Sequence, residues 1–255
     1  MDLGIRGRVA LVTGASSGLG RACAMALARE GARIAVAARR ENELEAAAAE
    51  AREAGSPDAR AYRMDLSDEK SIDAALERVR ADFGAIDILI ANSGGPKPGR
   101  FSETAAADWD AGYKQVLRCM LQLVQSVLPA MREQKWGRIV ALTSSSVKQP
   151  IPALALSNIF RTSLIAALKT ASNEVARDGV TINSIATGRI RTARLRAIYG
   201  DEAAMERAGH EVPIGRLATP EEFAPLVAFL CGEPARYITG QTIAIDGGLI
   251  SGIFG

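Results

Sequence analysis

Short runs of β-branched and aliphatic residues alternate with long Ala-rich stretches of helical period along the whole chain, and few folds can accommodate that alternation. Strands are expected at 9–12, 33–37, 60–64, 86–91, 138–142, 181–185 and 242–245, with helices filling the gaps. A helix between successive strands leaves them parallel, and parallel strands need right-handed crossovers and cover on both faces. The expected fold is therefore α/β: a Rossmann-type doubly wound, seven-stranded parallel sheet with helices on both faces, in a single domain over 1–255. The Ala-rich stretch 45–54 spaces its Glu and Arg residues as a solvent-facing crossover helix does. The sequence contains no internal repeat and no interdomain linker.

Composition narrows the function. With 48% hydrophobic and 24% charged residues, 255 residues supply one large core. There is no apolar run of membrane-spanning length, and the first residues lack a signal peptide's apolar stretch, so a cytoplasmic protein without membrane attachment is expected. Cys23, Cys119 and Cys231 are widely separated in helical segments, which suggests buried thiols, not disulfides or a metal site. A formal charge of +2 with dispersed basic residues gives no nucleic-acid footprint. Small-molecule chemistry is favoured.

The segment Thr13-Gly14-Ala15-Ser16-Ser17-Gly18-Leu19-Gly20 lies between the first strand and a helix starting near Gly18. Glycines let the backbone turn tightly and approach a pyrophosphate, whose charge the free N–H groups and helix dipole stabilise. Gly14, Ser16, Ser17, Gly18 and Leu19 are the expected phosphate-binding positions. At the end of the second strand, an acidic residue would accept a ribose 2′-hydroxyl and repel a 2′-phosphate, but Arg39-Arg40 stands there. A guanidinium can chelate phosphate oxygens, so NADP(H) is preferred over NAD(H), with Arg39 in contact and Arg21 a helper. The competing reading is two solvated arginines opening a helix.

Together with the glycine loop, which fits the pattern TGxxxGxG, several segments carry a wider likeness: Asp65-Leu66, Asn92-Ser93-Gly94, Gly215-Arg216-Leu217, Thr219-Pro220-Glu221-Glu222, Ile238-Thr239-Gly240-Gln241 and Asp246-Gly247-Gly248. On these the chain resembles the short-chain dehydrogenase/reductase family nearly end to end, and its last third resembles the 3-oxoacyl-carrier-protein reductases. The resemblance implies a nicotinamide seat that includes Asp65, Leu66, Asn92, Gly94, Ile190 and Thr192, and a substrate lid at about 188–215. It also implies a homotetramer, built on apolar helices (Met120-Leu121, Leu123-Val124, Leu164-Ile165, Ala166-Ala167-Leu168) and on a tail from Leu249-Ile250 to Ile253-Phe254.

In that family a Tyr passes the proton, a Lys lowers its pKa, a Ser bonds the substrate oxygen and an Asn on a neighbouring helix completes a relay. Ser144 keeps the serine role, thirteen residues before position 157, with Thr143, Ser145 and Ser146 as register alternatives. The other three positions differ: Ser157 replaces Tyr, Arg161 replaces Lys, and Val116 replaces Asn. A phenol of pKa ~10 can be brought toward neutrality by a nearby cation, whereas an aliphatic hydroxyl cannot, and it is shorter. Arg161, one helical turn beyond Ser157, would bond the cofactor ribose and supply charge. Lys148 is the first candidate for a replacement acid, with Tyr113 and Tyr199 behind it; His210, the sole histidine, reads as a surface residue. Arg189, Arg191, Arg194 and Arg196 in the lid, with Lys97 and Arg100 at the opposite rim, would draw an anionic substrate such as an acyl thioester, or form a solvated face. The expected function is an NADP(H)-dependent oxidoreductase acting on a small carbonyl or alcohol by a non-standard proton route. The alternative is a catalytically silent relative that senses a nucleotide or binds a partner.

Overall fold

The computed structural model describes residues 1–253. Seven strands, β1 (Val9–Thr13), β2 (Arg33–Ala38), β3 (Ala59–Arg63), β4 (Ile88–Asn92), β5 (Gly137–Leu142), β6 (Val180–Thr187) and β7 (Thr242–Ile245), form one sheet in the order β3-β2-β1-β4-β5-β6-β7. Every neighbouring pair is parallel. The doubly wound expectation is met, and the strand positions differ from it only at their ends. The fourth strand begins at Ile88 because Asp87 just before it is turned to other work: its carboxylate accepts the Val9 backbone N–H at 2.8 Å and pairs with Arg8 at 3.2 Å.

Helices α1 (Gly18–Arg29) and α2 (Glu41–Glu53) cover one face with α9 (Pro220–Cys231), while α3 (Glu69–Phe83), α5 (Cys119–Glu133) and α6 (Ala155–Val175) cover the other. Helices α3 and α9 start where their sequences supply a cap. Asp68 accepts the Lys70 N–H at 3.0 Å at the start of α3, and Thr219 and Glu222 form a capping box ahead of α9, which opens on Pro220. Phe223 in α9 is fully buried, and removing a phenyl ring of this kind from water contributes about 2–3 kcal/mol.

The helix expected after β4 is broken. α4 (Ala106–Gly112) passes through a π-helical turn at Tyr113–Arg118 before α5 begins. Phe160 of α6 lies against Gly112 so closely that a Cβ there would sit 2.9 Å from its ring, and Trp109 and Tyr113 flank the same ring at centroid distances of 6.0 and 6.3 Å. The wider turn shifts the residues that face the sheet, with consequences at the cleft described below.

Met120, Leu123, Val124, Leu164 and Leu168, expected to seek a partner subunit, are buried in the chain's own core. Their apolar character is accounted for within one chain, which removes them as an argument for assembly. Of the tail expected at a second interface, Ile253 is exposed and Phe254 lies outside the described residues. All three cysteines are buried, and burial raises their thiol pKa values, for Cys119 to about 11 and for Cys231 to about 12. Among the described residues, no helix is long and apolar enough to cross a membrane.

Candidate active site

The sheet order reverses direction between β1 and β4, and the connections leaving those two strands run to opposite faces, opening a crevice at the strands' C-terminal ends. A cleft of about 470 Å³ occupies it. Thr13 holds the two sides in register, its hydroxyl donating to Asn92 O at 2.9 Å while accepting the Asn92 N–H at 2.8 Å.

The glycine loop forms one end of the cleft. Gly14 has φ +61°, and a Cβ there would lie 2.7 Å from Asn92 Nδ2. At Gly20, in the first turn of α1, a Cβ would lie 2.4 Å from the Gly14 carbonyl oxygen. These glycines allow the loop to fold back on itself and leave the N-terminal N–H groups of α1 facing the cleft. Ser17, at the N-cap, does not cap the helix with its side chain. Instead, Arg40 Nη2 donates to Ser16 Oγ at 3.0 Å and Ser17 Oγ at 3.2 Å, while Arg40 Nη1 pairs with Glu43 at 3.1 Å.

Gly14, Ser16, Ser17, Gly18, Leu19, Arg39, Asp65, Leu66, Asn92, Gly94, Ile190 and Thr192, drawn from five segments of the chain, all line this one cleft. Arg21 does not: it is held by Glu50 at 2.6 Å and cannot help at the phosphate position. Its place is taken by Arg40, which sequence inspection paired with Arg39 without foreseeing the serine contacts. Asp65 accepts the backbone N–H of Ser67 at 2.9 Å and its hydroxyl at 2.6 Å, and these bonds hold its carboxyl below the usual range.

At the other end, Ser144, Ser157 and Arg161 converge. The register alternatives to Ser144 fall away: the Thr143 hydroxyl is bound to Ile185 O at 2.7 Å, and Ser145 and Ser146 are buried away from the cleft. Ser157 and Arg161 lie one turn apart on α6, and each is only 7% exposed. Arg161 donates to Leu142 O at 3.2 Å and to Gly94 O at 3.4 Å, and burial, helped by the nearby charge of Arg194, pushes its pKa down to about 10. Thr187, at the end of β6, also lines the cleft, and its buried Oγ1 has no hydrogen-bond partner among the described residues.

The replacement acids named from sequence are not brought to this point. Lys148 is half-buried at the end of the short turn Ser145–Val147 and does not line the cleft. Tyr113 packs on Phe160, Tyr199 lies beneath the Arg189 guanidinium, and His210 is exposed at the end of α8 (Glu202–His210). Val116 is fully buried in the core, but Gln115, one residue earlier, lines the cleft with its amide close to Gly94. Regular helical spacing gives no sign of this, because the π turn rotates Gln115 inward.

The segment expected to form a lid, at about 188–215, holds α7 (Ala193–Tyr199) and α8. Three of the four arginines expected to make it basic are paired within the segment itself. Arg189 pairs with Glu211 at 2.6 Å, while Arg191 and Arg196 share Glu202. Lys97 on the opposite rim is paired with Asp108 at 2.9 Å. Of Arg189, Arg191, Arg194 and Arg196, only Arg194, which lines the cleft, has no carboxylate partner among the described residues.

The family model described as enoyl-(acyl carrier protein) reductase matches residues 14–250. The chain is 34% identical over 247 residues to the 3-oxoacyl-[acyl-carrier-protein] reductase FabG of Escherichia coli, an alignment covering 97% of this chain and 99% of that one. It is similar in structure to the L-sorbose reductase of Gluconobacter frateurii, solved with NADPH and L-sorbose, with a TM-score of 0.93, 32% identity and coverage of 99% and 100%. It is likewise similar to an actinorhodin polyketide ketoreductase solved with NADPH, with a TM-score of 0.90, 34% identity and coverage of 95% and 97%.

Proposed function

The chain belongs to the short-chain dehydrogenase/reductase family, and from that premise we propose that it is an NADP(H)-dependent oxidoreductase that interconverts a carbonyl compound and its alcohol without a tyrosine acid. One observation carries the reading: a single cleft joins the glycine cradle and Arg39-Arg40 to Ser144, Ser157 and Arg161. Solved relatives that hold NADPH support the cofactor. The residues present fit it. The cradle has no room for side chains at Gly14 and Gly20, the donors Arg39, Arg40, Ser16 and Ser17 suit a 2′-phosphate, and the orphaned Thr187 hydroxyl lies at the far end. When bound, the nicotinamide ring supplies or receives the hydride.

The chain's own residues then handle the oxygen. In reduction, hydride adds to the carbonyl carbon and the electron pair of the C=O bond moves onto oxygen. Ser144 donates a hydrogen bond to that oxygen, and the Arg161 charge stabilises the alkoxide in a site of low dielectric. The proton comes from solvent, with the Ser157 hydroxyl giving its proton to the alkoxide as it accepts one from water. Burial holds Arg161 at about 10, and its hydrogen bonds hold Asp65 below the usual carboxylate range, so both ionise away from neutrality. Turnover under saturating substrate and cofactor should therefore be level between roughly pH 6 and 9, without the ionisation step a tuned acid would give. Lys148→Ala should leave that rate within about threefold. A hundredfold loss, or a basic limb that vanishes in Lys148→Ala, would assign the proton to Lys148.

Cofactor choice offers a separate test. Arg39→Asp and Arg40→Asp should each weaken NADPH binding by about tenfold to a hundredfold, since each removes a charge-assisted contact and introduces a repelling carboxylate, while leaving NADH nearly unaffected. Fluorescence titration of both nucleotides reads this directly. Equal losses for both would sink the 2′-phosphate assignment. A homotetramer is the assembly we favour, from the family likeness and from Ile159, which is left exposed on α6.

A further inference from the structure

Two guanidiniums converge on one tripeptide at the substrate end of the cleft. Arg161 Nη2 donates to Gly94 O at 3.4 Å from α6, and Arg194 Nη2 donates to Pro96 O at 3.0 Å from the lid, ninety-eight residues away in sequence. The Arg194 group lies flat against Gly95, where a Cβ would be 2.3 Å from Nη2, so the backbone itself is shaped to admit it. Neither arginine has a carboxylate partner among the described residues, although Arg189, Arg191 and Arg196 do. Among the described residues, the only acidic side chain lining the cleft, Asp65, lies after β3 at the opposite, nucleotide-binding end.

Arg161 is buried, and a buried guanidinium is ordinarily paired, because taking a cation from water is costly unless an anion or a set of acceptors compensates it; Arg194 is exposed at the mouth of the same cleft, where its charge is open to an incoming anion. Here backbone carbonyls take one N–H of Arg194 and two of Arg161, while each guanidinium carries five N–H donors. Both guanidiniums line the same cleft as the Ser144 and Ser157 hydroxyls that the proposed chemistry uses. Leu154, Leu195 and Ile198 line the cleft as apolar neighbours.

We propose that Arg194, seconded by Arg161, is the recognition site for a carboxylate carried on the substrate, so that the preferred substrates are small oxo acids or hydroxy acids with a short apolar body. This rests on the oxidoreductase reading and names its substrate class. The charge is supplied across the closed lid, and lid closure and substrate recognition share one side chain: Arg194 latches α7 to the loop after β4 and presents its free N–H groups to the substrate. The cofactor pyrophosphate is the other anion that could use the same group, and the two sources separate experimentally.

The test uses 2-, 3- and 4-oxopentanoate, each against its methyl ester, which removes the charge and little else. Full-length protein loaded with NADP is titrated with each probe and observed by saturation-transfer NMR; kcat/KM with NADPH is measured in parallel. At least one oxo acid is expected to exceed its ester by tenfold or more in both affinity and kcat/KM. Arg194→Gln should abolish that preference and Arg194→Lys should restore part of it, while NADPH titrates the three proteins alike and their melting temperatures agree. Loss of NADPH affinity in Arg194→Gln with the acid preference intact would give the residue to the pyrophosphate and overturn the proposal. Equal handling of acids and esters by the parent protein, with NADPH bound, would also overturn it. Failure of the parent to bind NADPH at all is a different result, since it refutes the oxidoreductase reading on which the substrate class rests.

Discussion

Replacing Arg161 by leucine is expected to lower turnover by about a thousandfold, the scale on which removal of one preorganised donor to a developing oxyanion acts. NADPH affinity should fall less, by about tenfold, reflecting one lost charge-assisted contact. The reason for the split is geometric. Arg161 is fixed by the Leu142 and Gly94 carbonyls, so its charge is held in place before the reaction begins and costs no reorganisation when the oxygen becomes negative. Arg161→Lys keeps a charge but not the planar fork, and should recover most of the turnover, leaving a loss of about tenfold. Single-turnover oxidation of NADPH separates chemistry from binding. Arg161→Leu protein that binds NADPH and turns over like its parent would remove the cation from the mechanism. An Arg161→Leu protein with normal melting but no turnover would rule out a purely structural role.

Gly20→Ala should be strongly damaging. Its Cβ would meet Gly14 O at 2.4 Å, the Gly14 carbonyl carbon at 2.8 Å and Asn92 Nδ2 at 3.0 Å, and two of these atoms belong to backbone that cannot rotate away. The loop would have to open, at a cost of about 3 kcal/mol, which for a chain of this length corresponds to a drop in Tm of roughly 6–12 °C. NADPH affinity should fall by a hundredfold or more, because the same loop presents the N–H groups of α1 to the phosphates. Gly252→Ala, where nothing lies within 4 Å, is the matched control and should melt with the parent. A Gly20→Ala protein with parental NADPH affinity would show that the cradle is not where the nucleotide sits.

Much of this architecture could be read directly from the sequence, for a local reason. The strand and helix periods, the glycine loop and the residues at strand ends are all patterns that near neighbours in sequence determine, and in a parallel sheet the strand ends necessarily gather at one edge. That is why Gly14, Asp65, Asn92 and Ser144 could be placed in one cleft before any coordinates. Gln115 was invisible because the π turn at Tyr113–Arg118 breaks the spacing on which such a reading depends, and that turn accompanies the packing of Phe160 on Gly112 from a different helix. Lys148 looked well placed because it follows Ser144 closely, but nearness in sequence does not fix which way a turn faces.

The lid gives the sharpest division between the two sources of information. The sequence determines that Arg189, Arg191, Arg194 and Arg196 form a dense basic segment, and that Ser157 and Arg161 replace the usual acid and its cation. Only the tertiary structure decides that Glu211 pairs with Arg189 and that Glu202 pairs with both Arg191 and Arg196, leaving Arg194 facing the cleft beside Arg161. Charge is a property of composition, but whether a charge is available depends on which partner the folded chain brings within about 4 Å, and that distance is set by packing between segments far apart in sequence.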